Sequence, residues 1–434
     1  MKILFTSLFI VSFLLIATVS NAQKVDTPYE VATWFGFRDA AVSYTFDDGC
    51  ANQFVKAIPM FDEFGYKLTL FTVVNWSAAN WTKLQSAANN GYEVASHTLT
   101  HLNLSGVATA TQLTELQNSR LEIDKNITNA KCLTIAYPNC AVGDYAIVGQ
   151  NYISARGCQG FIEGKTPKDF LNISSLVCGT ESTLKTADNL NSKITSALTS
   201  KGWLVFLFHS IDDDGGYSSF SSVELRKNLE YVQKIDSQIW VTTFFDATLY
   251  VRERNAVNVH ELSSTSDLIT LTVTDALDNE VYKYPVSLRR PLPSGWSNVE
   301  VTQNGKVIAS KLVGAGTAKK IQFNVVPDAG EVKILKGSNT GNSQTKEKET
   351  GEASQMKVWM NNHKLFYALP INHAEILKAE IYNINGIKIL NKEIAGSYSD
   401  CNYIDLSTYR ILPGRYILGI SANNQSWHSW FQLF

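Results

Sequence analysis

The sequence predicts an α/β fold: a parallel (β/α) barrel, distorted or incomplete, with about seven repeats, followed by two small antiparallel β domains. Three observations carry that prediction. Between Ala40 and Asn255 short apolar runs alternate with amphipathic stretches. Several runs, Trp203–Phe208 among them, are apolar without alternation, as strands covered by helices on both faces must be. After Asn255 the texture changes to alternating strand candidates punctuated by Gly, Asn, Asp and Pro.

In chain order, Lys2, the apolar run Ile3–Val19 and the small residues Ser20-Asn21-Ala22 form a secretory signal pattern, which assigns residues 1–22 to a cleaved signal peptide. No later stretch approaches the roughly 18 apolar residues needed to cross a bilayer. The expected location is therefore secreted or at the cell surface, with no transmembrane span after cleavage. Residues 23–255 form the barrel. Its strand candidates are Ala41–Phe46, Leu68–Val74, Tyr92–Ser96, Cys132–Tyr137, Tyr152–Ala155, Trp203–Phe208 and Ile239–Phe244. Between them, Phe54, Ile58 and Phe61 share one helical face, and Leu113, Leu116 and Leu121 line another within Thr109–Ile127.

Residues 256–336 read as a β-sandwich-like domain, with strands at Leu268–Val273, Val281–Leu288, Val299–Thr302, Lys306–Leu312 and Ile321–Val326 and a hairpin turn at Asn304-Gly305. Residues 337–355 lack apolar clusters and read as a flexible linker, and 356–434 as a second β module with a turn at Asn385-Gly386.

With 434 residues, 44% of them hydrophobic, the chain can build sizeable cores, and a net charge of −2 gives no reason to expect nucleic acid or an anionic membrane as partner. Six cysteines follow the signal, five of them before residue 200; an oxidising compartment permits disulfides among them, and no C-x-x-C pair suggests a cysteine zinc site.

Chemistry-bearing residues gather at strand ends. Ala41–Phe46 leads into Asp47-Asp48-Gly49, Tyr92–Ser96 into His97 and His101, and Trp203–Phe208 into His209; these are the three histidines before Asn255. Side chains of adjacent residues point apart, so Asp47 and Asp48 suit different jobs, one toward a metal and one toward a reacting water. His97 and His101 can converge on a divalent cation, and imidazole suits zinc.

Thr45-Phe46-Asp47-Asp48-Gly49, Ser96-His97-Thr98-Leu99-Thr100-His101 and Leu207-Phe208-His209 resemble the first, second and fifth motifs of the polysaccharide deacetylases, the NodB-homology enzymes of carbohydrate esterase family 4. The resemblance covers residues 38–250. It implies that Asp48, His97 and His101 hold the metal, Zn2+ or another divalent ion such as Co2+, that Asp47 is the general base, and that His209 is the general acid. The third motif departs from the family pattern, with Ala136-Tyr137-Pro138-Asn139-Cys140 in place of an arginine-containing run. The backbone N–H of Asn139 is then the expected oxyanion donor, since Pro138 has none. Arg156 is the candidate replacement for the missing arginine beside the base. Tyr137 and Trp76 are further candidates for substrate contact or base tuning, although for Trp76 ordinary packing is the favoured reading. Of Asp212, Asp213 and Asp214, one could orient His209 if they are more than a solvated turn.

The expected activity is metal-dependent removal of acetyl groups from a polysaccharide or oligosaccharide, either an N-acetylglucosamine polymer or acetylated xylan. A non-catalytic carbohydrate-binding or adhesive surface protein that keeps the barrel is the alternative. Ala379–Gly386, Tyr403–Ser407 and Pro413-Gly414-Arg415-Tyr416 resemble the C-terminal sorting domains of type IX secretion substrates, which implies secretion machinery or cell-surface attachment as a partner.

Overall fold

The computed structural model describes residues 23–128, 130–337 and, in the C-terminal module, strand segments between 357 and 433. The expected signal peptide, nearly all of the linker, the Asn385-Gly386 turn and Cys401 lie outside the described residues.

The barrel is built on parallel strands β1 (Ala40–Asp47), β2 (Thr69–Thr72), β3 (Glu93–Ser96), β4 (Thr134–Ala136), β5 (Ser154–Arg156), β6 (Leu176–Val177), β7 (Trp203–Phe208) and β8 (Ile239–Val241). Their order is β5-β4-β3-β2-β1-β7-β6, all parallel, with β8 paired to the start of β1. The ring closes through one parallel bridge between Arg156 and Ile173, just ahead of β6. Seven strands thus make the distorted barrel, with β8 splayed beside β1. β1 is its centre: all eight residues are buried, and β7 pairs with it from Ala41 to Phe46. Tyr44, Phe46 and Phe208 stack within the core, Phe46 against Phe208 with ring centres 5.1 Å apart.

The helices are α1 (Ile58–Phe64), entered through a π-helical turn at Gln53–Ala57, α2 (Trp81–Asn89), α3 (Thr109–Asn126), α4 (Tyr145–Asn151), α5 (Ala187–Ser200) and α6 (Ser222–Lys234). On α3 the leucine stripe is only partly the buried face. Leu113 and Leu121 are 39% and 56% exposed, while Gln112, Glu115, Leu116, Ser119 and Ile123 are buried. The barrel side of this helix carries hydrogen-bonding groups, which an apolar periodicity does not register.

Residues 23–39 and 246–337 form a separate compact unit, so the segments flanking the barrel do not belong to it. Lys24–Val25 pairs in parallel with Asn258–Val259, and Glu30–Val31 joins Val286–Pro291. The unit has a six-stranded and a four-stranded sheet around a core that includes Val259, Ile269, Leu288, Phe323 and Ile334. Asn304 and Gly305 both take positive φ, 48° and 74°, as a two-residue hairpin turn requires. Val281–Tyr284 is not strand; the expected run starts only at Val286. The C-terminal module has a three-stranded and a four-stranded antiparallel sheet, with Leu365, Tyr367, Ile381, Leu418, Ile420 and Phe431 in its core.

Among the described cysteines, Cys140 and Cys158 are bonded, whereas Cys50, Cys132 and Cys178 are free. No helix of the described residues is long and apolar enough to cross a membrane.

Candidate metal centre

Each site residue sits where a buried strand gives way to a loop at the C-terminal end of the barrel. β1 ends in Asp47, 2% exposed. Asp48 and Gly49 follow with φ of 73° and 74°, a left-handed pair that Gly49 makes affordable. The turn leaves the Asp48 carboxylate beside two imidazoles. Its Oδ1 lies 3.6 Å from Nε2 of both His97 and His101.

His97 caps β3 and is buried. Its Nδ1 lies 2.8 Å from the Ala136 carbonyl, which can only accept, so Nδ1 carries the proton and Nε2 presents its lone pair to the carboxylates. His101 converges by way of a tight loop. Thr98 and His101 both take φ of 65°, and the Thr98 hydroxyl accepts from the His101 N–H at 3.0 Å. Glu115, reaching in from α3, accepts from the N–H groups of Leu99 and Thr100 and from the Thr100 hydroxyl at 2.7–3.0 Å. Trp76, far from being packed away, is 52% exposed and stacks on the His101 ring at 5.0 Å.

Asp47 Oδ2 accepts from Arg156 Nη2 at 2.5 Å. The arginine is 1% exposed, on the last residue of β5, and is no surface group. His209 Nε2 is 3.9 Å from the same Asp47 oxygen. Gln53, fully buried, donates through Nε2 to the carbonyls of both Asp47 and His209, tying two strand ends together. Tyr217 is 55% exposed and meets the His209 ring edge-on at 5.0 Å.

Two expectations need correction. Tyr137 is buried, and its hydroxyl donates to the Leu171 carbonyl at 2.7 Å, so its ring supports the barrel wall and is not free to touch a substrate. The acidic run does not orient His209. Asp212 pairs with Lys56 and caps α6 through Ser222, while Asp214 accepts from the Ser210 hydroxyl and the Asn52 N–H. Asn139 lies in the turn after β4 with φ of 53°; the neighbouring N–H groups of Cys140 and Ala141 are used on the carbonyls of Tyr137 and Pro138.

The electrostatics follow from burial in close company. Burial lowers His97 to about 4 and also depresses His101 and His209, so all three imidazoles favour the neutral form. Burial, reinforced by the neighbouring Asp47 charge, pushes Asp48 up to about 7. Burial would raise Asp47 too, but the Arg156 guanidinium, by its charge and its hydrogen bond, is the chief opposing influence, and Asp47 ends below the usual carboxylate range. The result is one settled carboxylate, Asp47, beside a donor set short of positive charge. Asp48 Oδ1 is buried with no hydrogen-bond partner, and the three ligand atoms of Asp48, His97 and His101 lie within 4.8 Å of one another. That set, one oxygen and two imidazole nitrogens, fits a divalent cation and suits zinc, with room for further ligands.

Gln53, Glu115 and Tyr217 escaped the sequence reading. The only signal for the first two is a polar residue on the apolar face of its helix.

Residues 36–155 match the family model described as polysaccharide deacetylase. Among curated proteins, the chain is 25% identical to a gellan lyase from a Bacillus species over 70% of its own length and 13% of that protein. It is 29% identical to a putative polysaccharide deacetylase of Bacillus subtilis over 25% of its length and 38% of that protein. The chain thus spans well under half of either relative. A putative polysaccharide deacetylase from Mycobacterium smegmatis overlaps 51% of this chain and 93% of its own, at 14% identity and a TM-score of 0.40. A family 4 acetyl xylan esterase from Clostridium thermocellum, solved with cobalt, overlaps 48% and 89% at 13% identity and a TM-score of 0.36. The barrel carries a polysaccharide deacetylase domain, a domain of hydrolases.

Proposed function

We propose that the barrel is a metal-dependent hydrolase that removes acetyl groups from a polysaccharide or oligosaccharide, either an N-acetylglucosamine polymer or acetylated xylan. The observation that carries this reading is the convergence of Asp48, His97 and His101 on one point, with the separately held carboxylate of Asp47 beside it. Asp48, His97 and His101 would hold a divalent ion, zinc or cobalt. Such an ion supplies Lewis acidity, which acidifies water and polarises an acetyl carbonyl.

The protein's own groups do the rest. Asp47, kept ionised by Arg156, takes the proton from the attacking water. The Asn139 N–H donates to the oxygen that becomes negative as the carbonyl turns tetrahedral. His209, whose Nε2 lies 3.9 Å from the Asp47 carboxylate, passes the proton that Asp47 has taken up on to the leaving sugar amine or hydroxyl. The exposed indole of Trp76, flat against His101, offers a face for a sugar ring at the rim.

A screen of purified full-length protein against chitooligosaccharides, peptidoglycan and acetylxylan tests the reading. Acetate should be released from at least one, should stop with a chelator and should return with zinc. No acetate from any of them, with zinc bound at one equivalent, would instead support the carbohydrate-binding alternative. We further propose that the protein acts outside the cytoplasm, with residues 1–22 as its export signal and 356–434 as a sorting or surface-attachment module. Fusing 356–434 to a reporter in a host with type IX export machinery tests the latter.

A further inference from the structure

The turn that follows β4 is held in a conformation its residues do not favour unaided. Asn139 and Cys140 both take left-handed φ, 53° and 58°; asparagine tolerates that region, but cysteine rarely enters it. The turn is anchored at both ends to the chain around β5. At its start the Tyr137 N–H donates to the Arg156 carbonyl at 3.1 Å. At its end Cys140 is disulfide-bonded to Cys158, with Cα atoms 5.7 Å apart. Cys158 stands two residues beyond Arg156. Between them, the Gly157 N–H donates to the Ile173 carbonyl at 2.8 Å, and a Cβ on Gly157 would lie 2.2 Å from Asn172 Oδ1. The Arg156–Cys158 segment is therefore pressed against residues 172–173 on one side and cross-linked to the turn on the other.

That places one covalent bond between two parts of the site that come from different strands. The turn carries Asn139, whose N–H the deacetylase reading takes as the oxyanion donor, and the segment carries the guanidinium that holds Asp47. The metal-ligating residues follow β1 and β3, neither of which the cross-link touches.

We propose that the Cys140–Cys158 disulfide is a positioning cross-link for turnover. In the oxidised protein it holds the Asn139 N–H and Arg156 in mutual register, and its reduction lowers catalysis while leaving the metal ligands assembled. The proposal rests on the deacetylase reading above. With a water-soluble phosphine as reductant, the S–S bond breaks and each sulfur gains one electron and one proton. The phosphine takes its oxygen from water and leaves as the phosphine oxide. Among the described cysteines, Cys50, Cys132 and Cys178 are already thiols and do not change.

The test uses zinc-loaded full-length protein before and after phosphine treatment, with cleavage of the bond verified by mass spectrometry. A displaced oxyanion donor or base partner costs on the order of 10- to 100-fold. We expect kcat on the best acetylated glycan to fall by that amount, with KM within about twofold, zinc stoichiometry unchanged, and recovery on reoxidation. The double variant Cys140→Ser/Cys158→Ser should show the same kcat without reductant. Independently of activity, amide hydrogen exchange should rise over residues 137–141 and 156–158 and nowhere near His97 or His101. Unchanged kcat and exchange after verified reduction would overturn the proposal, as would zinc loss that accounts for the whole effect. Absence of acetate release by the oxidised protein, with the exchange response intact, would sink the deacetylase reading and leave the cross-link's hold on the turn established.

Discussion

Arg156 reaches Asp47 from the end of β5, although the usual arginine of the third motif is absent, so the base keeps its cationic partner by a different route. The pair is buried at 1% and 2% exposure, where removing one partner strands the other. Asp47 must be ionised to accept a proton, and Arg156 is what keeps its carboxyl low against burial. Arg156→Met should therefore raise the Asp47 pKa and move the acidic limb of the kcat/KM–pH profile to higher pH. A profile whose acidic limb stays put would remove Arg156 from this role. Asp47→Asn is the complementary change. It should cut turnover by about 10²- to 10⁴-fold, the range for losing a general base, while zinc content stays at one equivalent. Zinc loss in that variant would mean that Asp47, and not Asp48, holds the metal.

At the level of elements, α3 does work that its sequence hides. Glu115 takes three hydrogen bonds from Leu99 and Thr100 and so fixes the loop that carries His101 to the cation site. Glu115→Ala would leave two loop N–H groups without their acceptor. Zinc affinity, measured by competition with a coloured chelator, should fall about 10- to 100-fold, as when outer-shell supports of a metal ligand are lost, with helix content preserved. Unaltered affinity would show that the loop holds its shape without the clamp. Seven of the eight strands were legible because each falls in a largely apolar run of four or more residues with a polar break, and the ligands were legible because they fall at those breaks; Leu176–Val177, too short for such a run, was not. Glu115 and Gln53 were not, because a buried polar residue on a helix looks like any solvated one until its partners are known. Closure of the ring was equally hidden: β6 has two residues, and the Arg156–Ile173 bridge is a single contact with no periodicity to read. The acidic run at Asp212–Asp214 resembles a solvated turn, and only the contacts to Lys56, Ser210 and Asn52 show it fastening the loop after β7.

Across the whole molecule, the two compact units should answer to different variables. Lys24–Val25 pairs with residues more than two hundred positions away, which is why the boundary at residues 23–39 could not be found locally. The barrel should respond to metal. An ion present at a hundredfold excess over its dissociation constant adds about 2.7 kcal/mol, which for a domain of this size raises the barrel's melting transition by about 5–10 °C. Calorimetry with and without chelator checks this, and His101→Ala should abolish the difference. The second unit should respond to pH through Glu253, which is fully buried; its Oε1 accepts from the Tyr284 N–H at 3.1 Å, while Oε2 and Asp275 Oδ2 are both buried and neither accepts a hydrogen bond. Burial, then the neighbouring Asp275, raises its carboxyl to about 9 from the ordinary 4.5. A group raised in this way binds its proton more tightly folded than unfolded. Its contribution to stability is complete below about 4.5 and is lost as pH rises toward 9. Hydrogen exchange in the strands Val286–Pro291 and Lys320–Val325 should therefore report progressive destabilisation between pH 5 and 9 once intrinsic rates are corrected. Glu253→Gln keeps an acceptor for Tyr284 and adds a donor for Asp275, and it should flatten that dependence. A variant that loses protection in parallel with the parent would show that the proton is not held at Glu253.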